Sequence, residues 1–183
     1  MIGLERGKVK LLPHDPEWEL EAARTVEELR TLLGSVAKDI RHVGSTSVPT
    51  IPAKPIIDIA VAADDFTAVL NLEELLREHG YYYRHEQDLA NQLLFAKGSF
   101  YDGTGDLQTH FIHVVGIDSR EWWDYLNFRA YLIEFTEAAQ KYAELKLALA
   151  KKVSIDNDRE RYLSGKSPFI SEILGAARKR YGR

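Results

Sequence analysis

The sequence contains no cysteine, which excludes disulfide bonds, thiolate nucleophiles and cysteine-ligated metal centres. It also has no apolar run near the ~20 residues that a membrane-spanning helix requires. Residues 1–6 carry no apolar core of the kind that a signal peptide has. Together these absences predict a soluble cytoplasmic protein that does not associate with membranes.

An overall excess of positive charge is missing too. The net charge is −4 at pH 7, which argues against a nucleic-acid partner. The charge is nevertheless uneven, because residues 1–128 hold 12 basic and 21 acidic side chains whereas residues 129–183 hold 12 basic and 7 acidic ones. The basic C-terminal part is interpreted either as a pair of solvated helices or as a positive wall that faces an anionic ligand.

The composition and the order of the predicted elements indicate one α+β domain over residues 1–183. Hydrophobic residues make up 45% of the chain and charged residues 28%, enough apolar surface for a single core. Strand and helix patterns predict a part with both strands and helices over about residues 1–118. A helical tail is predicted over about residues 119–183.

Helix and strand signals place the individual elements. Asp15 as N-cap and Pro16 at the first helical position predict a helix that stops near Gly34. Further helices are predicted over 66–79, from 118–119 to 131 or beyond, over 137–153, and over 156–180 with a break at 165–168. Strands are predicted over 8–12, 40–43, 55–62, 81–83, 92–97 and 109–115.

A turn of small residues followed by a strand with one carboxylate is the most informative motif. Gly44 allows the backbone to approach a ligand closely, and Ser45, Thr46 and Ser47 add three hydroxyl groups that could hold a phosphate. Asp58 lies in the apolar strand that follows, where a buried carboxylate is costly without a partner. Its partner is either a lysine four residues earlier, Lys54, or a bound metal ion. The second alternative would make Asp58 a metal ligand or a general base.

The chain resembles the GrpB family of the nucleotidyltransferase-like superfamily over nearly its whole length. The signature of this family is matched by His42 to Asp58, and its paired-histidine strand by Thr109 to Val115. Further matches are Gly80–Tyr81, Glu86 and Asn91 to Gly98 in the middle of the chain, and Phe128 to Leu132, Tyr142 to Lys146 and Tyr162 to Lys166 in its helical end.

The resemblance implies a nucleotidyltransferase-like mixed sheet with helices packed around it. It implies a nucleotidyltransferase that binds a nucleoside triphosphate, or a related phosphorylated ligand, together with Mg²⁺ or Mn²⁺, and in which Asp58 is catalytic. Relatives fused to dephospho-CoA kinase point to nucleotide or coenzyme metabolism. In the helical tail, Arg129, Lys146 and Lys166 are candidate phosphate partners, while Tyr142 and Tyr162 would either pack against a base or lie in the core between helices.

The strand of Asp58 departs from the pattern of an active nucleotidyltransferase. Two carboxylates at alternate positions of one strand share a face and hold two metal ions, but Asp58 is followed at the alternate position by Ala60. Two functions therefore remain open: transfer of a nucleotidyl group, and binding of a nucleotide or phosphate without transfer.

A third metal ligand would come from another part of the chain, and the candidates are Glu86, His110 and His113. The two histidines are three residues apart and point to opposite faces of a regular strand, so both cannot serve the same pocket. We expect Asp58, Glu86 and His113 to hold a single divalent ion. Gln108 and Phe111 stand where family members often have arginine and histidine, which reduces the positive charge and the coordinating capacity of the pocket.

Overall fold

The computed structural model describes residues 1–89, 91–156 and 159–182. A mixed five-stranded sheet forms its centre, in the order β2–β3–β7–β5–β4, and β1 pairs with β6 beside it. The strands are β1 (Leu4–Glu5), β2 (Ala37–Val43), β3 (Ile57–Ala63), β4 (Tyr82–Tyr83), β5 (Gln92–Lys97), β6 (Leu107–Gln108) and β7 (His110–Gly116).

Helices cover both faces of this sheet and form the C-terminal part of the fold. They are α1 (Glu17–Leu33), α2 (Phe66–Leu70), α3 (Glu73–Glu78), α4 (Ser99–Asp102), α5 (Arg120–Glu134), α6 (Thr136–Asp156) and α7 (Arg159–Tyr181). None of the helices in the described ranges is long and apolar enough to span a membrane. The predicted α+β class and the mixed sheet flanked by helices are confirmed.

Local capping explains where the helices begin. Asp15 accepts a hydrogen bond from the backbone N–H of Glu17 at 3.1 Å, and α1 ends at Gly34, whose φ is +53°. Ser119 accepts a hydrogen bond from the backbone N–H of Trp122 at 3.1 Å, which satisfies a donor in the first turn of α5. Both helix starts were predicted at these residues.

Three predicted elements differ from the structure. Residues 8–12 form no strand beyond a single bridge between Leu12 and Ala53. The helix predicted over 66–79 splits into α2 and α3. Its apolar residues at 66, 69 and 70 are repeated at 72, 75 and 76, six residues later. Two turns of one continuous helix would need a spacing of about seven residues. The predicted break at 165–168 is wrong because α7 continues through Pro168. Residues 157 and 158 of the predicted last helix lie outside the described residues.

Strand register brings the motif residues together. β2 pairs antiparallel with β3, so that Val43 lies opposite Asp58. β7 runs parallel to β3 on its other side and pairs Ala60 with His113. The turn after β2 therefore lies beside the Asp58 end of β3, and the side chains of β7 lie next to the same position.

The two faces of the sheet have different roles. One face packs against α1 in the main core, which contains Trp18, Ile57, Ile59 and Ile112. On the opposite face, Ala60 and Val115 pack with Trp122 of α5. Side chains alternate along a strand, so Asp58 and Ala60 share the face toward α5. The candidate site therefore lies on that side of the sheet.

Candidate functional site

The turn at Gly44 folds directly over the carboxylate of Asp58. Gly44 has φ +70°, and a Cβ at this position would lie 2.6 Å from Oδ2 of Asp58. Only glycine combines this backbone conformation with so close an approach. The predicted turn and the predicted acidic strand thus form one unit.

The three hydroxyl groups of the turn have different surroundings. The Oγ of Ser47 donates to the carbonyl of Gly44 at 2.7 Å, and the Oγ1 of Thr46 lies 2.9 Å from Nε2 of His42. Burial lowers the pKa of His42 to about 4, so this imidazole is neutral at pH 7. Ser47 and Thr46 are buried and hold the turn in shape, and Ser45 and Thr46 line the cleft beside it.

Two connected lobes make up this cleft. The first, which we call the lysine lobe, has a volume of about 170 Å³ and is lined by residues that include Lys54, Lys146, Tyr162 and Lys166. The second, which we call the aromatic lobe, has a volume of about 520 Å³ and is lined by residues that include Leu89, His113, Tyr125 and Phe128. Both lobes are lined by Ser45, Asp58 and Lys166, which therefore mark their junction.

Three ammonium groups lie against two tyrosine rings in the lysine lobe. The Nζ of Lys146 lies 4.6 Å from the ring centroid of Tyr142. The Nζ atoms of Lys54 and Lys166 lie 5.7 and 4.6 Å from the centroid of Tyr162. The face of an aromatic ring attracts a cation, so the two tyrosines offset part of the repulsion between the lysines. Both tyrosines are buried. Tyr142 packs in the core between helices and also lines the aromatic lobe, while Tyr162 lines the lysine lobe.

Lys146 is the most deeply buried of the three lysines, with 1% of its surface exposed. Its Nζ donates to the carbonyl of Pro52 at 2.5 Å. Burial, with the neighbouring charges of Lys166 and Lys54, lowers its pKa to about 7. The buried ammonium form of Lys146, close to two other lysines, would be stabilised by an anion bound in the lobe.

At the junction, Asp58 contacts His113 of β7. The Nε2 of His113 lies 3.2 Å from Oδ1 of Asp58, and its ring packs on Tyr125 with the centroids 5.0 Å apart. The Nδ1 of His113 lies 3.4 Å from Nε2 of Gln92. The Oε1 of Gln92 in turn accepts a hydrogen bond from the hydroxyl of Tyr125 at 2.8 Å. These contacts hold the imidazole with Nε2 directed at the carboxylate.

His110 lies on the other face of the sheet, as its spacing from His113 predicted. Its Nε2 lies 3.2 Å from Oγ1 of Thr25 and 3.4 Å from a carboxylate oxygen of Glu21, both in α1. Burial lowers its pKa to about 4, with a further contribution from Lys97. His110 is therefore a neutral residue of the contact between sheet and helix, on the face of the sheet opposite to the cleft.

Two predicted site residues lie away from the cleft. Arg129 is exposed and lines a groove on the opposite side of α5, next to His42. Glu86 lies in a short turn and forms an ion pair with Arg84. Within residues 1–89, 91–156 and 159–182, no group of three or more histidine or acidic side chains could hold a metal ion. The expected three-ligand set of Asp58, Glu86 and His113 is therefore not assembled, because only two of its members meet.

Gln92 and Tyr125 line the cleft and support His113, but they were not predicted as site residues. Lys146 was predicted as one of three candidate phosphate partners, without its burial. A glutamine at the start of an otherwise apolar strand was the available signal for Gln92. Phe111 lines the lysine lobe and makes it more apolar.

A mixed sheet with a glycine–serine turn over a strand carboxylate defines a protein of the nucleotidyltransferase-like fold. The crystal structure of the Cid1 poly(U) polymerase bound to MgGTP has this fold. It superposes with a TM-score of 0.50 over 75% of this chain and 42% of that chain, at 16% sequence identity. At this identity the likeness shows the fold alone.

The chain belongs to the GrpB protein family, whose sequence model matches residues 8–176. It is 35% identical to the glutamate-rich protein GrpB of Alkalihalophilus pseudofirmus, over 95% of this chain and 98% of that protein. The crystal structure of the conserved protein GrpB from Enterococcus faecalis is 30% identical. It superposes with a TM-score of 0.85 over 95% of this chain and 100% of that chain.

Proposed function

We propose that the cleft binds a nucleoside triphosphate or a related phosphorylated small molecule. The observation that carries this proposal is the group of three lysines in the lysine lobe, one of them almost fully buried. Phosphate oxygens would accept hydrogen bonds from the ammonium groups and would offset the repulsion between them. The turn borders the same lobe through Ser45 and Thr46, and the hydroxyl of Ser45 would add a donor.

The aromatic lobe would take the organic part of the same ligand. Its wall includes Phe128 and Leu89, and Leu89 is 68% exposed at the edge of the cleft. Covering an exposed leucine removes apolar surface from water, at roughly 25 cal/mol per Å². A planar or apolar group joined to phosphates would therefore fill both lobes.

A divalent ion would be held at the junction by Asp58, with His113 as a second protein ligand. Their Nε2 and Oδ1 atoms are 3.2 Å apart, a separation compatible with two adjacent ligands of one ion. Phosphate oxygens and water would supply the remaining positions, as is usual for Mg²⁺. When bound, the ion would neutralise phosphate charge.

Nucleotidyl transfer is the first candidate function of this site. The fold and the position of Asp58 support it, with His113 in the place of a further carboxylate. Binding without transfer is the second candidate, and Ala60 favours it, because the fully buried Ala60 occupies the position of a second acidic residue on the same face. One carboxylate cannot hold the two metal ions of the usual mechanism.

Thermal stability with added nucleotides tests the binding proposal. Nucleoside triphosphates with Mg²⁺ or Mn²⁺ should raise the Tm of the wild type, since a ligand present at about 100 times its Kd adds ~2.7 kcal/mol. Asp58→Asn should lose the part of this increase that requires the metal. The control Asp64→Asn alters an exposed carboxylate outside both lobes and should behave as the wild type. A metal-dependent increase that persists in Asp58→Asn would exclude Asp58 as the metal ligand.

Incubation with triphosphates labelled at the α-phosphate separates the two candidates. Cell extract would provide acceptors, and labelled product that depends on Asp58 would establish transfer. Tight binding without labelled product, with either metal ion, would establish the binding function.

A further inference from the structure

Lys146 has surroundings that differ from those of an ordinary phosphate-binding lysine. Its amine lies inside the protein on α6, and the two cations that lower its pKa come from other elements: Lys54 from the segment before β3 and Lys166 from α7. Desolvation and neighbouring cations are the two conditions that convert a lysine into a nucleophile. Three groups oppose this effect by favouring the ammonium form: the ring of Tyr142, the carbonyl of Pro52, and Asp58, which lines the same lobe.

The contact with Pro52 also orients the amine. In its neutral form, Nζ can donate one hydrogen to the carbonyl of Pro52 at 2.5 Å and keep its lone pair for a group in the lobe. Lys54 and Lys166 would hold a phosphate in the same space. A small ligand with a phosphate at one end would therefore place its other end within reach of Nζ.

We infer that Lys146 is a nucleophilic amine that forms an imine with a phosphorylated aldehyde or ketone bound in the lysine lobe. Nζ attacks the carbonyl carbon, a C–N bond forms, and the carbonyl oxygen leaves as water with both amine hydrogens. No electrons are gained or lost. This inference rests on the proposed binding of phosphate by the lysine lobe, and it extends the ligands to carbonyl compounds.

Reductive labelling tests the inference with a probe small enough for the lobe. The wild-type protein at pH 7 is incubated with glycolaldehyde phosphate and sodium cyanoborohydride, which converts the imine into a stable amine. Proteolysis and mass spectrometry then give the occupancy of each lysine. An ordinary lysine with a pKa of about 10.4 is neutral in roughly one molecule in 2,500 at pH 7, whereas Lys146, with a pKa of about 7, would be neutral in half.

We expect Lys146 to be labelled at least about tenfold more than the exposed lysines Lys141 and Lys179. Glycolaldehyde, which lacks the phosphate, should label it at least about tenfold less, and tripolyphosphate should protect it. The experiment needs only the wild type, so it does not depend on the folding of a variant. Lys146→Arg should remove this label, and Lys141→Arg is the control that should leave it unchanged.

The outcomes separate this inference from the proposed function. Equal labelling of Lys146 and the exposed lysines would overturn the inference, and so would preferential labelling of Lys166. If tripolyphosphate still bound in a calorimetric titration, the proposed function would stand without the imine. Lys146 could also be labelled equally by glycolaldehyde and glycolaldehyde phosphate, without protection by tripolyphosphate. That result would overturn the binding of phosphate in the lysine lobe and, with it, the inference as stated.

Discussion

Replacement of Gly44 by alanine tests whether the turn and Asp58 act as one unit. Gly44 has φ +70°, and a Cβ there would meet Oδ2, Cβ and Cγ of Asp58 at 2.6, 2.9 and 3.0 Å. With ψ −170°, Gly44 lies in a backbone region that is essentially restricted to glycine and that costs other residues about 1–3 kcal/mol. Moving the carboxylate or the turn to relieve the overlap costs about 1–3 kcal/mol more. Gly44→Ala should therefore lower the free energy of unfolding by about 2–6 kcal/mol.

Gly34→Ala is a matched control for this substitution. Gly34 has φ +53° and ψ −130°, close to the φ +70° and ψ −170° of Gly44, but a Cβ there would meet nothing within 4 Å, so alanine bears the backbone cost alone. The difference between the two variants therefore reports mainly the contact with Asp58. Since 1 kcal/mol shifts the Tm of a chain of this size by about 2–4 °C, Gly44→Ala should melt at least several degrees below Gly34→Ala.

Two measurements on both variants decide the outcome. Denaturant unfolding gives the free energies, and titration with a nucleoside triphosphate and Mn²⁺ gives the affinities. Gly44→Ala should also bind more weakly, because the displaced carboxylate loses its position beside His113. Equal stabilities and equal affinities for the two variants would refute the close packing of the turn on Asp58.

The remaining predictions concern the cations and histidines. The pKa of Lys146 lies below its unfolded value, so the unfolded chain binds more protons than the folded one between about pH 7 and pH 10. The free energy of unfolding of the wild type should therefore rise with pH in this window relative to that of Lys146→Met, by up to about 1.4 kcal/mol per pH unit. Urea unfolding measures this difference. The pKa of His110 is lowered to about 4, so its contribution is lost as pH falls from about 6.5 to 4; the urea midpoint of His110→Gln should fall less than that of the wild type across this range. Arg129→Ala should leave the Kd for tripolyphosphate within about twofold of the wild type, because Arg129 lies outside the cleft; a larger loss would place Arg129 in the site.

The part of the site that could be predicted is local in sequence. Gly44 and Asp58 are only 14 residues apart. A glycine turn next to a strand with one carboxylate indicates a phosphate site and a metal ligand from the residue types alone. The face shared by Asp58 and Ala60 follows from the alternation of side chains along a strand. The same alternation separated His110 from His113.

The direction in which a helix residue points was harder to predict. Successive residues of a helix are about 100° apart, and the neighbours Phe128 and Arg129 of α5 illustrate the result. Phe128 lines the aromatic lobe, whereas Arg129 lines a groove on the other side of the helix. The sequence contained both residues but did not reveal how α5 is rotated against the sheet.

Lys146 and Glu86 depend on contacts between distant segments. The burial of Lys146 arises because its Nζ reaches the carbonyl of Pro52, 94 residues earlier, and the pattern of α6 alone does not show this contact. Glu86 lies in the connection between β4 and β5, and the path of this connection depends on how the two strands pair. Its ion pair with Arg84 keeps it near its own segment.

Calorimetric titration with tripolyphosphate tests the central claim, which is that the lysine lobe binds phosphate. Lys166→Ala should raise the Kd at least about tenfold, since a hydrogen bond to a charged group contributes ~1.5–3 kcal/mol. Lys179→Ala alters an exposed lysine on the same helix and should match the wild type. Absence of binding to the wild type, or equal losses in the two variants, would contradict the account.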